Sequence, residues 1–99
     1  MMWRHGDVLI ASAKAVPANA TRRPSAVLAR GEFTGHSHRF AEPETVAVWE
    51  AAGVLFVTVL AEQATVIHEE HKPITLPHGI YRVWQQREYS PEAVRTVRD

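Results

Sequence analysis

The run Val54-Leu55-Phe56-Val57-Thr58-Val59-Leu60 constrains the fold more than any other part of the chain. Almost every side chain in it is apolar, so both of its faces must be covered, and a strand at the centre of a β core meets that demand. The whole apolar stretch from Gly53 to Ala61 is far shorter than the ~20 residues of a membrane-spanning helix. Ala51-Ala52-Gly53 precedes it, a spacing that predicts a tight hairpin from a strand over Thr45–Glu50. Glu62-Gln63 follows it and is expected to form the next turn.

Other segments repeat this rhythm of short strand and turn. Asp7 to Ala11 predicts a first strand and Ala26 to Arg30 another, joined by a polar, proline-bracketed loop over residues 15–24. Residues 32–40 alternate in type, which places Thr34, His36, His38 and Phe40 on one face. Ala41-Glu42-Pro43-Glu44 is a turn, and Ala64 to His68 a further strand. Lys72 to Gly79 carries Pro73 and Pro77 around an alternating Ile/Leu pair and predicts an edge segment closing in a turn. Ile80 to Tyr89 alternates with mixed character on both faces, as a strand at an edge or interface does. Ser90-Pro91-Glu92-Ala93 has a helix-start pattern, while Val94 to Arg98 fits a terminal strand equally. About seven short, mainly antiparallel strands without an internal repeat predict an all-β fold, a small barrel or sandwich, and 99 residues is room for a single domain.

Eleven basic and eleven acidic side chains cancel, so the chain lacks the electrostatic footprint of a nucleic-acid or anionic-membrane binder. Cysteine is absent, which removes disulfides, thiolate metal sites and cysteine nucleophiles. Any metal must then be held by nitrogen and oxygen. The amino terminus has no apolar segment of signal-peptide length, and a soluble, cytoplasmic protein is the expectation.

Four of the six histidines fall in two clusters, His36-Ser37-His38 and His68-Glu69-Glu70-His71. Neutral imidazole is the commonest protein metal ligand, and a strand holding His36 and His38 at i and i+2 would aim both rings the same way. His68 and His71 are three apart, a spacing that opposes them in a regular strand but converges them where a strand ends in a turn. The candidate ligands are therefore His36, His38, His68 and His71, and the candidate ion is a divalent metal such as zinc, manganese or iron. Glu69 and Glu70 lie between two of these ligands, where either serves as an oxygen ligand, a carboxylate orienting an imidazole, or a catalytic base on a bound water. The helical H-E-x-x-H protease motif does not apply, because its histidines are four apart on one helix face. The plain alternative is that both clusters are solvated turns and polar edge positions. His5 and His78 sit beside glycines in turns, where either joins a site only if the fold brings it there. Ser37 points away from its neighbouring imidazoles, which argues against a Ser-His nucleophile pair.

Gly31 and His36 with four residues between them, then Ser37, His38 and, after three more residues, Glu42, together resemble the first metal-binding motif of cupins. Pro77-His78-Gly79-Ile80-Tyr81-Arg82 is similar to part of the second motif, with Arg82 where the third metal histidine would stand. The resemblance spans about half of the chain. It implies a β-barrel with His36, His38 and Glu42 as metal ligands and His68 or His71 completing the set.

Two functions follow as expectations. One is a metal-binding β-barrel, with metal-dependent catalysis on a small-molecule substrate if the ion keeps an open position. The other is a non-enzymatic module that forms a homo-oligomer or docks on a protein partner through the strand bearing Tyr81, Trp84 and Tyr89.

Overall fold

The computed structural model describes residues 2–31, 35–89 and 94–96. They form ten strands and one 3-10 turn, and every strand pairing is antiparallel. In chain order the strands are β1 Met2–His5, β2 Val8–Ser12, β3 Thr21–Arg23, β4 Val27–Arg30, β5 Ser37–Phe40, β6 Val46–Ala51, β7 Val54–Ile67, β8 Ile74–Gln85, β9 Arg87–Tyr89 and β10 Val94–Thr96. Eight belong to one sheet, ordered β1-β2-β8-β7-β5-β4, with β6 on the first half of β7 and β3 outside β6. The sheet is not closed. β9 and β10 make a separate two-stranded ribbon. No helix among the described residues is long and apolar enough to cross a membrane.

The apolar run anticipated as the central strand is the first half of β7, with Val57 and Val59 fully buried. Its hairpin with β6 closes through Ala52 and Gly53 at φ 51° and 79°. Two consecutive positive φ values define the tight turn whose twist matches the flanking strands. The turn expected at Glu62-Gln63 is not there, because β7 continues to Ile67. Between the pairs Val59↔Gly79 and Gln63↔Pro77, three residues of β7 face one of β8, a bulge that absorbs the polar residues without ending the strand. The bulge also reverses parity: Val57 and Val59 point inward before it, Ala64 and Val66 after it, so one face stays in the core throughout.

The same bulge corrects the reading of Lys72 to Gly79 as a segment closing in a turn. Pro77, His78 and Gly79 lie inside β8. Proline is tolerated there because β2 pairs with Tyr81–Gln85, so among the described residues no strand neighbours Pro77 on its outer side. Two further elements were not anticipated. β3 occupies part of the expected loop over residues 15–24, and β1 precedes the expected first strand. Of the described residues 35–40, Ser37–Phe40 is strand, and Glu32, Phe33 and Thr34 lie outside the described residues. The helix start expected at Ser90–Ala93 also lies outside them, while β10 agrees with the terminal-strand alternative.

The β7–β8 hairpin curls back on itself. Gln86, just past β8, donates its backbone N–H to the Asp7 carbonyl at 2.7 Å, while Lys72, just before β8, accepts a contact from His5 Nε2 at 2.9 Å. A straight strand from residue 72 to 86 would span about 45 Å. The longest dimension of the molecule is 41 Å, and His5 and Asp7 are two residues apart, so the hairpin must fold over. Side chains from β2, β4, β5, β6, β7 and β8 then share one core, including Ile10, Leu28, Phe40, Val48, Val66 and Leu76. The result is an incompletely closed, barrel-like β domain.

Leu76 is fully buried on β8, whereas Leu60 is 56 % exposed at the bulge. Leu76→Ala is expected to cost about 2–5 kcal/mol and Leu60→Ala less than about 0.5 kcal/mol, a contrast measurable by urea unfolding.

Candidate metal centre

Folding the hairpin back brings the β1–β2 turn against the β7–β8 turn. His5 ends β1, Gly6 and Asp7 make the turn into β2, and His68 and His71 lie in the segment between β7 and β8. β5 runs beside β7 through Phe40↔Val66 and Arg39↔Ile67. One further step in that register sets His38 level with His68, and their ring centroids are 4.3 Å apart. Four imidazoles from three separate segments thus converge: His5, His38, His68 and His71, with His36 at their margin, 5.5 Å from His68.

The centre of this cluster is buried. His5 is 2 % exposed, His38 1 %, and Asp7 3 %. Candidate ligand atoms of His38, His68 and His71 all lie within 4.8 Å of one another, and so do those of His36, His68 and Glu69. A cluster of neutral nitrogen donors suits zinc, copper, nickel or iron, while a carboxylate-rich set would favour harder ions. The buried Nε2 of His71 has no hydrogen-bond partner among the described residues. Gly6, at φ 63°, lies directly over it: a Cβ there would sit 2.6 Å from that nitrogen and 3.0 Å from His38 Cε1. Glycine is needed at this position both for the turn and for the space.

Close polar contacts orient the rings. His5 Nε2 lies 2.9 Å from the Lys72 carbonyl, His5 Nδ1 2.9 Å from His38 Nδ1, and His38 Nε2 3.3 Å from Asp7 Oδ1. Asp7 is held in turn by Gln85 Nε2, which donates to its Oδ2 at 2.7 Å. His68 Nδ1 accepts the Glu70 backbone N–H at 3.0 Å. Burial pushes the His5 pKa below its ordinary value, a shift opposed by the Lys72 carbonyl and reinforced by the nearby His71 and His68. His5 therefore tends toward the neutral, ligating form.

The two glutamates occupy the solvent side. Glu69 accepts the Ser37 backbone N–H through Oε1 at 3.1 Å and pairs with Arg39 through Oε2 at 3.0 Å. The Ser37 hydrogen bond leads the causes that lower its pKa, followed by its own backbone N–H, with Arg39 and His36 adding to them. Glu70 Oε1 lies 2.8 Å from His36 Nδ1.

Of the residues singled out from the sequence, His38, His68 and His71 form one group, and His36 and Glu69 join His68 in the other. His36 and His38 do not share a group, because residue 36 precedes β5 and the even alternation expected from residue 32 is interrupted at Gly35. Glu42 lies apart, exposed before the 3-10 turn Pro43–Thr45, where its carbonyl accepts the Thr45 N–H. Arg82 stacks over Trp84 at 4.7 Å. His78 is exposed, bonded to the Ala61 carbonyl at the bulge. The fold brings His5 into the site, which the sequence left open for a histidine beside a glycine in a turn, and it adds Asp7, which sequence reasoning missed. The available signal was the two-residue turn Gly6-Asp7 entered directly from a histidine.

Fold and site together define a small antiparallel β domain with a buried histidine cluster capable of holding a metal ion. Residues 4–86 match a family described as Domain of unknown function (DUF8820), and the chain belongs to that family. All five clustered histidines fall within the matched residues. No curated protein and no solved structure matches the chain.

Two outcomes follow from this geometry. Gly6→Ala and Gly53→Ala both force a side chain into positive φ, but Gly53 has open space around it and Gly6 has His71. Gly6→Ala is expected to melt lower than Gly53→Ala, the difference exceeding about 1 kcal/mol, as read by thermal unfolding. The depressed pKa of Glu69 means that its contribution to stability is present above the ordinary carboxylate range and is lost as pH falls through the lower, folded-state pKa. Urea midpoints recorded between about pH 6 and 3 should fall less steeply for Glu69→Gln than for the wild type.

Proposed function

We propose that this chain is a metal-binding β domain in which His38, His68 and His71 hold a divalent first-row transition ion. The observation that carries the reading is the convergence of three imidazoles, from β5 and from the turn after β7, at one buried point. Burying neutral polar rings costs free energy unless each nitrogen is satisfied, and the buried Nε2 of His71 would gain a partner from an ion. The ion would bridge β5 to the β7–β8 turn and so add its binding energy to the stability of the fold.

A catalytic version of this reading has support on one side of the cluster. His36 is half-buried and Glu70 exposed, so an ion with an open position would meet solvent there. Glu70 is then the better proton acceptor for a metal-bound water, because both oxygens of Glu69 are already engaged by Ser37 and Arg39. Substrates would be small molecules.

Elemental analysis of tag-free protein is expected to find zinc or another first-row metal near one ion per chain. Adding a chelator should lower the melting temperature, since an ion at a thousand times its Kd stabilises the folded state by about 4 kcal/mol. His71→Ala should lose the metal and the chelator response together. Metal-free protein whose melting is indifferent to added zinc, cobalt, manganese, iron or chelator would refute the proposal.

A further inference from the structure

Three contacts run in a line through the buried cluster: Lys72 carbonyl to His5 Nε2, His5 Nδ1 to His38 Nδ1, and His38 Nε2 to Asp7 Oδ1. The two ends are oxygens, the Lys72 carbonyl 2.9 Å from His5 Nε2 and the Asp7 carboxylate 3.3 Å from His38 Nε2. An imidazole lone pair aimed at either oxygen would be repelled, so the hydrogens there belong on the imidazoles at Nε2. Two neutral imidazoles carry only two hydrogens, and the ends claim both. The Nδ1 lone pairs of His5 and His38 are then left facing each other at 2.9 Å, which is repulsive unless a cation lies between them.

A proton would satisfy that pair alone, but it would leave the surrounding imidazoles unexplained. The ring centroids of His5, His38, His68 and His71 are separated by 5.0, 6.3, 5.6, 4.3, 5.6 and 4.6 Å over their six pairings. Four imidazoles bound tetrahedrally to one ion at ~2.0–2.1 Å would have centroids about 5.2 Å apart, and ligand nitrogens about 3.3 Å apart. The observed separations bracket the first figure, and His5 is the outlying ring: it stands 6.3 Å from His68, outside the group of His38, His68 and His71 whose ligand atoms lie within 4.8 Å of one another, so the β1–β2 turn must close further on the ion. The Nδ1 pair at 2.9 Å needs only a few tenths of an ångström of opening to reach the second.

We infer that His5, through Nδ1, is the fourth ligand of the ion held by His38, His68 and His71, and that the Lys72 carbonyl and Asp7 carboxylate fix the Nε2 hydrogens of His5 and His38. This rests on the metal-binding reading above and adds to it a four-imidazole set closed by the β1–β2 turn. His38 binds through Nδ1, and Asp7, with Gln85 behind it, is a positioning residue outside the ligand set. A metal-ligating histidine that donates its distal N–H to a carboxylate or backbone carbonyl is the usual way a protein sets the ring's tautomer and aim. Here both partners are present for two of the four rings.

The test is a zinc titration of tag-free apo protein followed by long-range 1H–15N spectra of the imidazoles, with cobalt(II) absorption as a second reading. Zinc is expected to shift the Nδ1 resonances of His5 and His38 while their Nε2 atoms stay protonated. His5→Ala should weaken zinc binding by about 100-fold or more and remove the intense tetrahedral cobalt bands, whereas His78→Ala should change neither. Asp7→Asn should weaken zinc about 10- to 100-fold with the tetrahedral bands retained. If His5→Ala binds zinc with wild-type affinity and gives the wild-type cobalt spectrum, the inference is overturned and the metal-binding reading stands. If the wild type takes up neither ion, both fall. Should His5→Ala fail to fold, the wild-type spectra decide: an unmoved His5 Nδ1 resonance on zinc addition overturns the inference, and a shifted one supports it.

Discussion

The bulge on β7 at Leu60-Ala61-Glu62 is the feature on which the rest of the molecule depends. Without it β7 and β8 would be a straight ribbon, longer than the 41 Å extent of the folded chain, with its turn far from its open end. With it, β7 changes partner along its outer edge, from β6 before the bulge to β5 after it, and still keeps one face in the core. Bulges bend strands and sharpen their twist, which is what a small sheet needs to cover its own apolar face. His78 reinforces the bend by bonding the Ala61 carbonyl that the bulge leaves outside the ladder. The Tyr81 hydroxyl does the same for the Pro77 carbonyl at 2.6 Å.

The histidine cluster is a product of that bend. Its members come from the two ends of the hairpin's fold-back and from β5, so no local segment of the chain contains it. His5 and His38 are 33 residues apart, and His5 and Lys72 are 67 apart. Bringing such distant groups together costs chain entropy that grows only slowly with separation, while burying the rings of His5, His38 and His68 costs desolvation that only satisfied nitrogens repay. The backbone offers partners to some of these nitrogens through Lys72 and Glu70, and the Asp7 carboxylate faces another, His38 Nε2, at 3.3 Å. Gly6 contributes by absence of a side chain, since His71 fills the space a Cβ would take.

Much of the fold could be read from the residues, and the reasons for the gaps are physical. The apolar density of Val54–Leu60 and the Ala52-Gly53 turn identify the central strand and its hairpin because both signals are local. The Glu62-Gln63 and Pro77-Gly79 signals misled for one shared reason: polar residues, proline and glycine mark a bulge as readily as a turn, and only the pairing partner distinguishes them. For the site, His38, His68 and His71 were legible from clustering. Their distances were not, since register sets them. His5 could be placed only in a turn, because the histidines it meets, His38, His68 and His71, lie at least 33 positions away and the His5-Gly6-Asp7 pattern does not say which way the ring points. The face shared by His36 and His38 was over-read, as the alternation assumed a strand that begins only at Ser37.

The placement of the cluster also bears on what kind of metal chemistry it favours. Imidazoles buried to a few per cent exposure, fixed by a carbonyl on one side and a carboxylate on the other, leave little freedom for an ion to exchange ligands during a reaction. A fully protein-ligated ion of this kind is a structural one, whereas a catalytic ion keeps a position open to solvent. In this chain the two possibilities divide on a single residue. With His5 in the set, a bound ion would be closed off and would tie β1, β5 and the β7–β8 turn into one unit. With His5 held instead by a proton to His38, the fourth position of such an ion would turn toward His36 and Glu70, the half-buried and exposed rim where a small molecule would arrive. The chemistry open to the cluster would thus be decided at the β1–β2 turn, by whether a proton or a metal occupied the contact between two Nδ1 atoms.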